Sequence, residues 1–168
     1  MTTKRPKVVI PLESTDKFIE LLSLILILLM WTHTIVQYPD LPETIASHFN
    51  ANGQADAFSH KSFLWFLPII ASVTYLGLFF LNKFPHLHNY MVNITEKNAR
   101  QQYKFSTRIL RIVNFLCALM FGYINYQIIV GAIHGKSELG VGFLISVIAV
   151  SVLLPVFILI YQKRLNSN

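Results

Sequence analysis

The chain has 168 residues, of which 54% are hydrophobic and 13% charged. A soluble domain carries about a quarter of its residues as charges, so this deficit, with a mean hydropathy of +0.51, points to lipid as the main solvent. It excludes a large multidomain enzyme, a disordered tail and a disulfide-stapled secreted domain; the single cysteine, Cys117, has no partner within the chain.

Four stretches lack Asp, Glu, Lys and Arg: Leu21 to Pro39, Ser62 to Asn82, Ile112 to Gly135 and Leu139 to Gln162. Each approaches or exceeds the roughly 20 residues needed to cross a hydrocarbon core. Backbone amides in lipid need internal partners, so helices are predicted, at about 18–38, 62–82, 110–131 and 139–161. The fold class expected is an all-α integral membrane protein, a bundle of four transmembrane helices forming one domain. The first run is too long for a cleavable signal peptide and is expected to stay as an anchor.

Basic residues set the orientation. Of fourteen Lys and Arg, twelve lie before the first span (Lys4, Arg5, Lys7, Lys17), between the second and third (Lys83, Lys97, Arg100, Lys104, Arg108, Arg111) or after the fourth (Lys163, Arg164). Only Lys61 and Lys136 fall in the other two connections. The positive-inside rule then places both termini and the central loop in the cytoplasm. The net charge of +6 is thereby a topology signal with an anionic-lipid contact, and no nucleic-acid partner is expected.

Next along the chain comes the outer cap, 39–61. Asn52-Gly53 is a turn signal, and Ile45, Ser47 and Phe49 alternate with polar neighbours, so a short extended segment folding back is expected. Ser59 stands where an N-cap for the second helix belongs. In the cytoplasmic loop, 83–109, residues from Thr95 onward read as helix continuing into the third span, with Thr95 as N-cap. Pro68 and Pro155 interrupt two spans and are expected to remove helix hydrogen bonds.

The cap concentrates the chemistry: His48, Asn50, Asp56, His60 and Lys61. A turn at Asn52-Gly53 draws His48, Asn50 and Asp56 into one polar cluster. His48, Asp56 and His60 are weak metal candidates; their spacing fits no compact ligand template, and a fourth ligand would have to come from elsewhere, such as His134 in the other outer connection. No metal or cofactor is expected. Within the spans, His33 is the polar residue of the first, in the role of a relay or an interfacial hydrogen bond. Asn114 and Asn125 share a face of the third with Ala118 and Gly122, as helix packing in lipid uses. Arg108 and Arg111 are placed to snorkel to headgroups. Zinc-protease, nucleophile-elbow and phosphate-loop motifs are lacking, and the acid-free runs offer no carboxylate pair. The chain is read as a non-enzyme.

Leu41-Pro42, Ile45, His48-Phe49-Asn50, Gly53, Asp56 and Lys61 together resemble the signature of the DUF1648 domain of SdpI-type bacterial membrane proteins. Pro85, Asn89, Thr95, Asn98 and Tyr103 resemble that family's stretch after the second span. Ala46 departs from the proline usual there. The resemblance implies a bacterial inner-membrane protein related to an immunity protein that protects against a membrane-active peptide and holds a repressor at the membrane. On that basis the expected function is binding or sensing. A peptide or small molecule would meet the outer loop at His48, Phe49, Asn50, Gly53, Asp56 and Lys61, and a cytoplasmic protein would meet the central loop. A small transporter or accessory subunit, and a metal-dependent membrane enzyme, are the alternatives.

Overall fold

The computed structural model describes residues 5–167; Lys4 of the basic lead-in lies outside the described residues. Four helices dominate: α1 (Ser14–Gln37), α2 (Phe66–Leu81), α3 (Ala99–His134) and α4 (Val141–Ser167). Each, with the short 3-10 turns adjoining α1 and α2, is long and apolar enough to cross a membrane. Between α1 and α2 stand two strands, β1 (Thr44–Phe49) and β2 (Ala55–His60). The chain is therefore not all-α: the extended segment expected after α1 pairs into an antiparallel hairpin.

Several boundaries move for physical reasons. The first helix begins at Ser14, four residues before the predicted span, and so takes in Asp16 ahead of Glu20. The third runs back to Ala99, because its polar first turns continue the span without a break. Thr95 stands at the expected cap position: its carbonyl accepts the N–H groups of Asn98 and Ala99 at 3.3 and 2.9 Å, and the Asn98 Oδ1 accepts the Thr95 N–H at 2.8 Å, the return bond of a capping box. Ser59 is not a helix cap. It sits in β2, where its hydroxyl donates to Ser47 at 2.9 Å. His60 caps the turn leading into α2, its ring accepting the Ser62 N–H. Pro68 is the third residue of α2, in the first turn, where proline is best tolerated. Pro155 does lie inside α4.

The chain divides into two compact units. One comprises the residues up to Leu28 with Ile69–Met120, the other Leu29–Pro68 with the residues from Phe121 onward. In the first unit, the segment before α1 packs Val8 and Ile10 against Ile94, Ala99 and the fully buried Tyr103. The Tyr103 hydroxyl donates to Pro6 O at 2.9 Å. Arg5 donates to the carbonyls of His86 and His88, at 3.1 and 2.6 Å, and lies over the Tyr90 ring.

A ladder of ion pairs then ties the start of α1 to α3. Glu13 meets Lys104 and Arg108. Asp16 meets Arg108 at 3.1 Å and Arg111 at 3.9 Å, and Glu20 meets Arg111 at 2.7 Å. Positions 13, 16 and 20 share a helical face, as do 104, 108 and 111. Both series ascend together, so α1 and α3 run parallel here and begin on the same side. Arg108 and Arg111 thus do not snorkel to headgroups as expected. Asn114 donates to Tyr75 O on α2 at 3.1 Å, an interhelical contact of the expected kind.

The second unit has a different core. Leu41, Ile45, Leu64, Ile128 and Ile129 are buried together, with Tyr38, Phe49 and Leu67 against them. Trp65 lies 5.0 Å from the Tyr38 ring and 6.1 Å from that of Trp31. Deeper in α1, buried Thr34 and Asn125 exchange hydrogen bonds at 3.2 and 3.0 Å, so this asparagine too joins two helices. Ala118 in the first unit is buried, whereas a Cβ at Gly122 would touch nothing within 4 Å, so that glycine marks no close approach.

A candidate recognition hairpin

The hairpin is fixed by its turn and by a neighbour. Asn50 Oδ1 accepts the N–H groups of Asn52 and Gln54 at 2.8 and 3.2 Å. Gly53 takes φ +76°, a left-handed conformation that costs a side-chain-bearing residue about 1–2 kcal/mol. Beyond the turn, the α3–α4 connection docks onto the hairpin: Ala55 N–H donates to Ser137 O at 3.2 Å and Leu139 N–H to Gly53 O at 2.8 Å. Gly131 makes this docking possible, since a Cβ there would come within 2.7 Å of Ser137. The connection is itself held by Tyr123 and Gln127, which donate to the carbonyls of Leu139 and Glu138.

Strand register positions the polar groups. Thr44, Ile45 and Ala46 pair with His60, Ser59 and Phe58; the register then shifts, so that His48 faces Ala57 and Phe49 faces Ala55. Such a bulge re-aims side chains. His48 Nδ1 lies 2.5 Å from Asp56 Oδ1, with the two side chains 68% and 43% exposed. The carboxylate holds one ring nitrogen and leaves Nε2 free of it, available to hydrogen-bond a ligand.

The remaining cap residues fall into a second group. Lys61 is largely buried; its ammonium reaches Leu41 O at 3.3 Å and Glu43 at 3.1 Å, over the Tyr38 ring. His60 accepts the Ser62 N–H at Nδ1, which leaves the proton on Nε2 to donate to Glu43 at 3.1 Å. Hydrogen bonding from Lys61, its charge, and His60 together hold the Glu43 carboxyl below the usual glutamate range.

His48, Asn50, Gly53 and Asp56 are thus gathered around the turn, while Lys61 and His60 belong to the Glu43 group at the opposite end of the strands. Phe49 belongs to the core. Among the described residues no three His, Cys, Asp or Glu come together as a metal site would need; His60 is turned to Glu43, and His134 Nδ1 contacts Val130 O. A cavity of about 490 Å³ adjoins the hairpin, walled by Thr44, Gln54, Phe58, Lys136, Ser137 and Glu138 among others. None of the six predicted cap residues lines it. Lys136 and Ser137, which do, lie in a connection that offers no motif; only the glycines flanking it, Gly131 and Gly140, hint at a tight return.

The other expected residues are dispersed. His33 stacks on Tyr126 with ring centres 5.5 Å apart. In the first unit, buried Pro85 accepts the Tyr90 hydroxyl at 2.8 Å, Asn98 and Tyr103 anchor the start of α3 as described, and Asn89 is exposed. Sequence reasoning does not single out Glu13, Asp16 and Glu20 as a set. Their spacing, matched by 104, 108 and 111, is the signal that could have found them.

Residues 25–71 match the family model of DUF1648, a domain of unknown function. The match covers the second half of α1, the hairpin and the start of α2, and stops before the 83–109 stretch, so the resemblance of Pro85, Asn89, Thr95, Asn98 and Tyr103 lies outside it. No solved structure matches the chain. A protein of the archaeon Archaeoglobus fulgidus, described as an uncharacterized protein, is 29% identical over 94% of this chain and 93% of its own length.

Proposed function

We propose that this is a multi-pass membrane protein of the binding or sensing type, related to SdpI-type immunity proteins, whose hairpin recognises an extracytoplasmic peptide or small molecule. One observation carries the reading. The hairpin is locked at both its turn and its flank, yet displays the exposed His48–Asp56 pair, and its Thr44, Gln54 and Phe58 help to wall a cavity of about 490 Å³. A few placed polar groups against apolar walls are what selective recognition uses. Pre-ordering lowers the entropy lost on binding. The twelve-to-two distribution of basic residues supports cytoplasmic termini and an outer hairpin. The parallel start of α1 and α3 agrees with that alternation. A bacterial inner membrane follows from the family resemblance, and the similar archaeal protein extends the reading to an archaeal cell membrane.

The test is a protection or sensing assay in the native host. His48→Ala and Asp56→Ala are expected to abolish the phenotype while the protein still inserts and accumulates. A phenotype that survives replacement of the whole segment from Ile45 to Asp56 would overturn the proposal. Impermeant labelling of a cysteine introduced at Ser14 in intact cells would overturn the orientation; labelling at Gln54 is expected.

A further inference from the structure

A second cavity, of about 460 Å³, lies wholly within the first unit, walled by the segment before α1, the end of α2 and one face of α3. Its chemistry is divided. Val8, Ile10, Phe79 and Phe84 supply apolar wall, while Lys7, Lys83 and Arg111 supply three cations against one carboxylate, Glu20. His86 is the remaining titratable group in the wall.

Arg111 is the centre of this arrangement. Its side chain is 9% exposed. Its Nε donates to Glu20 at 2.7 Å, and its nearest other acid, Asp16, stands 3.9 Å from Nη1, beyond hydrogen-bond distance. The two terminal amino groups of the guanidinium therefore keep their donors unspent toward described residues. A buried guanidinium with free Nη donors fits the paired oxygens of a phosphate. The Lys83 ammonium sits 4.9 Å from the Phe79 and Phe80 ring centres, so it is held at the junction of charge and apolar wall. Asn82, also in the wall, is 8% exposed, and its Oδ1 accepts no hydrogen bond among the described residues. Its terminal torsion is soft enough to present that oxygen to a ligand hydroxyl.

We infer that this cavity binds a phosphate-bearing amphiphile, its phosphate on Arg111, Lys83 and Lys7 and its apolar part along Val8, Ile10 and Phe79. The site adjoins the end of a predicted span, where basic pockets between helices take up anionic headgroups. It is separate from the hairpin, so failure of either site leaves the other standing.

The full chain, purified in a neutral detergent, would be titrated with a fluorescent phosphatidylglycerol and competed with unlabelled phosphatidylglycerol, diacylglycerol or inorganic phosphate. Lys7→Gln/Lys83→Gln is expected to weaken binding roughly tenfold or more. Arg100→Gln/Lys163→Gln, an equal charge loss at exposed positions outside the cavity, is expected to change it less than about twofold. Arg111→Gln should weaken binding further, but it also breaks the ladder, so the lysine pair is the deciding variant. Equal losses in both double variants, or none in either, would overturn the site in favour of diffuse surface attraction. Competition by diacylglycerol as strong as by phosphatidylglycerol would also overturn it, since the phosphate would then be idle. Displacement by millimolar inorganic phosphate would support the phosphate subsite and assign it to a soluble phosphate rather than a headgroup.

Discussion

The start of α1 and the hairpin that follows its end solve the same problem, joining distant stretches of chain, by opposite means. Glu13, Asp16 and Glu20 join α3 through charge, in a ladder whose inner members are buried. Leu41, Ile45 and Leu64 join α3 through apolar packing, with the backbone bonds of the α3–α4 connection alongside. The difference lies in what each tolerates. Apolar packing weakens in proportion to the volume removed. A buried ion pair fails abruptly when one partner goes, because the other is left charged and unmatched.

Ile45→Ala tests the apolar side; at 1% exposure it should cost about 2–5 kcal/mol, depending on how far the site collapses. Asp16→Ala tests the ladder. Both Arg108 and Arg111 lose a partner while keeping Glu13 and Glu20, and a loss of about 1.5–3 kcal/mol is expected, read as a lowered melting temperature in detergent. Restoring volume with Ile45→Leu should recover most of the first loss, whereas Asp16→Asn should recover little of the second. Thr34→Val, which leaves Asn125 without its reciprocal partner, should cost about 1–2 kcal/mol, as polar pairs in lipid do.

Smaller effects sharpen the contrast. The exposed His48–Asp56 pair should contribute less than about 1 kcal/mol, so Asp56→Ala should melt close to wild type even where it abolishes recognition. Acid distinguishes two contacts within the first unit. Burial lowers the His88 pKa from its usual 6.5, and the neutral ring is held between the Leu81 carbonyl and the Ser106 hydroxyl. In the window just below pH 6.5 the unfolded chain binds the proton more readily than the folded one, so stability falls with pH there. His88→Gln should flatten that slope in a pH series of melts. Glu13 is held low by hydrogen bonds from Lys104 and Arg108, so its contribution persists through that window and is lost only at lower pH.

Much of this architecture is legible in the sequence because its signals are local. Charge-free runs mark the helices, and Asn52-Gly53 between alternating residues marks the hairpin. The long α3 follows from the helical character of 95–108, with Thr95 and Asn98 bonded to each other at its start. What escapes is pairing across the sequence. Asp16 and Glu20 are not singled out, and Arg108 and Arg111 read as headgroup ligands, because nothing local says that two faces ninety residues apart are complementary. The hairpin site is half legible for the same reason. His48 and Asp56 are eight positions apart and meet through the turn, whereas Ser137 and Glu138 reach the hairpin only through the return after α3.

The separation of the ladder's partners has a consequence for biogenesis. Glu20 and Arg111 are 91 positions apart, and Asp16 and Arg108 are 92. At about 5–20 residues per second, a ribosome delivers the cations roughly 5–20 seconds after the acids they match. Throughout that interval α1 carries two carboxylates at the membrane boundary with no arginine to receive them. The ladder that ties the start of the first helix in place can therefore form only after the third helix has been made.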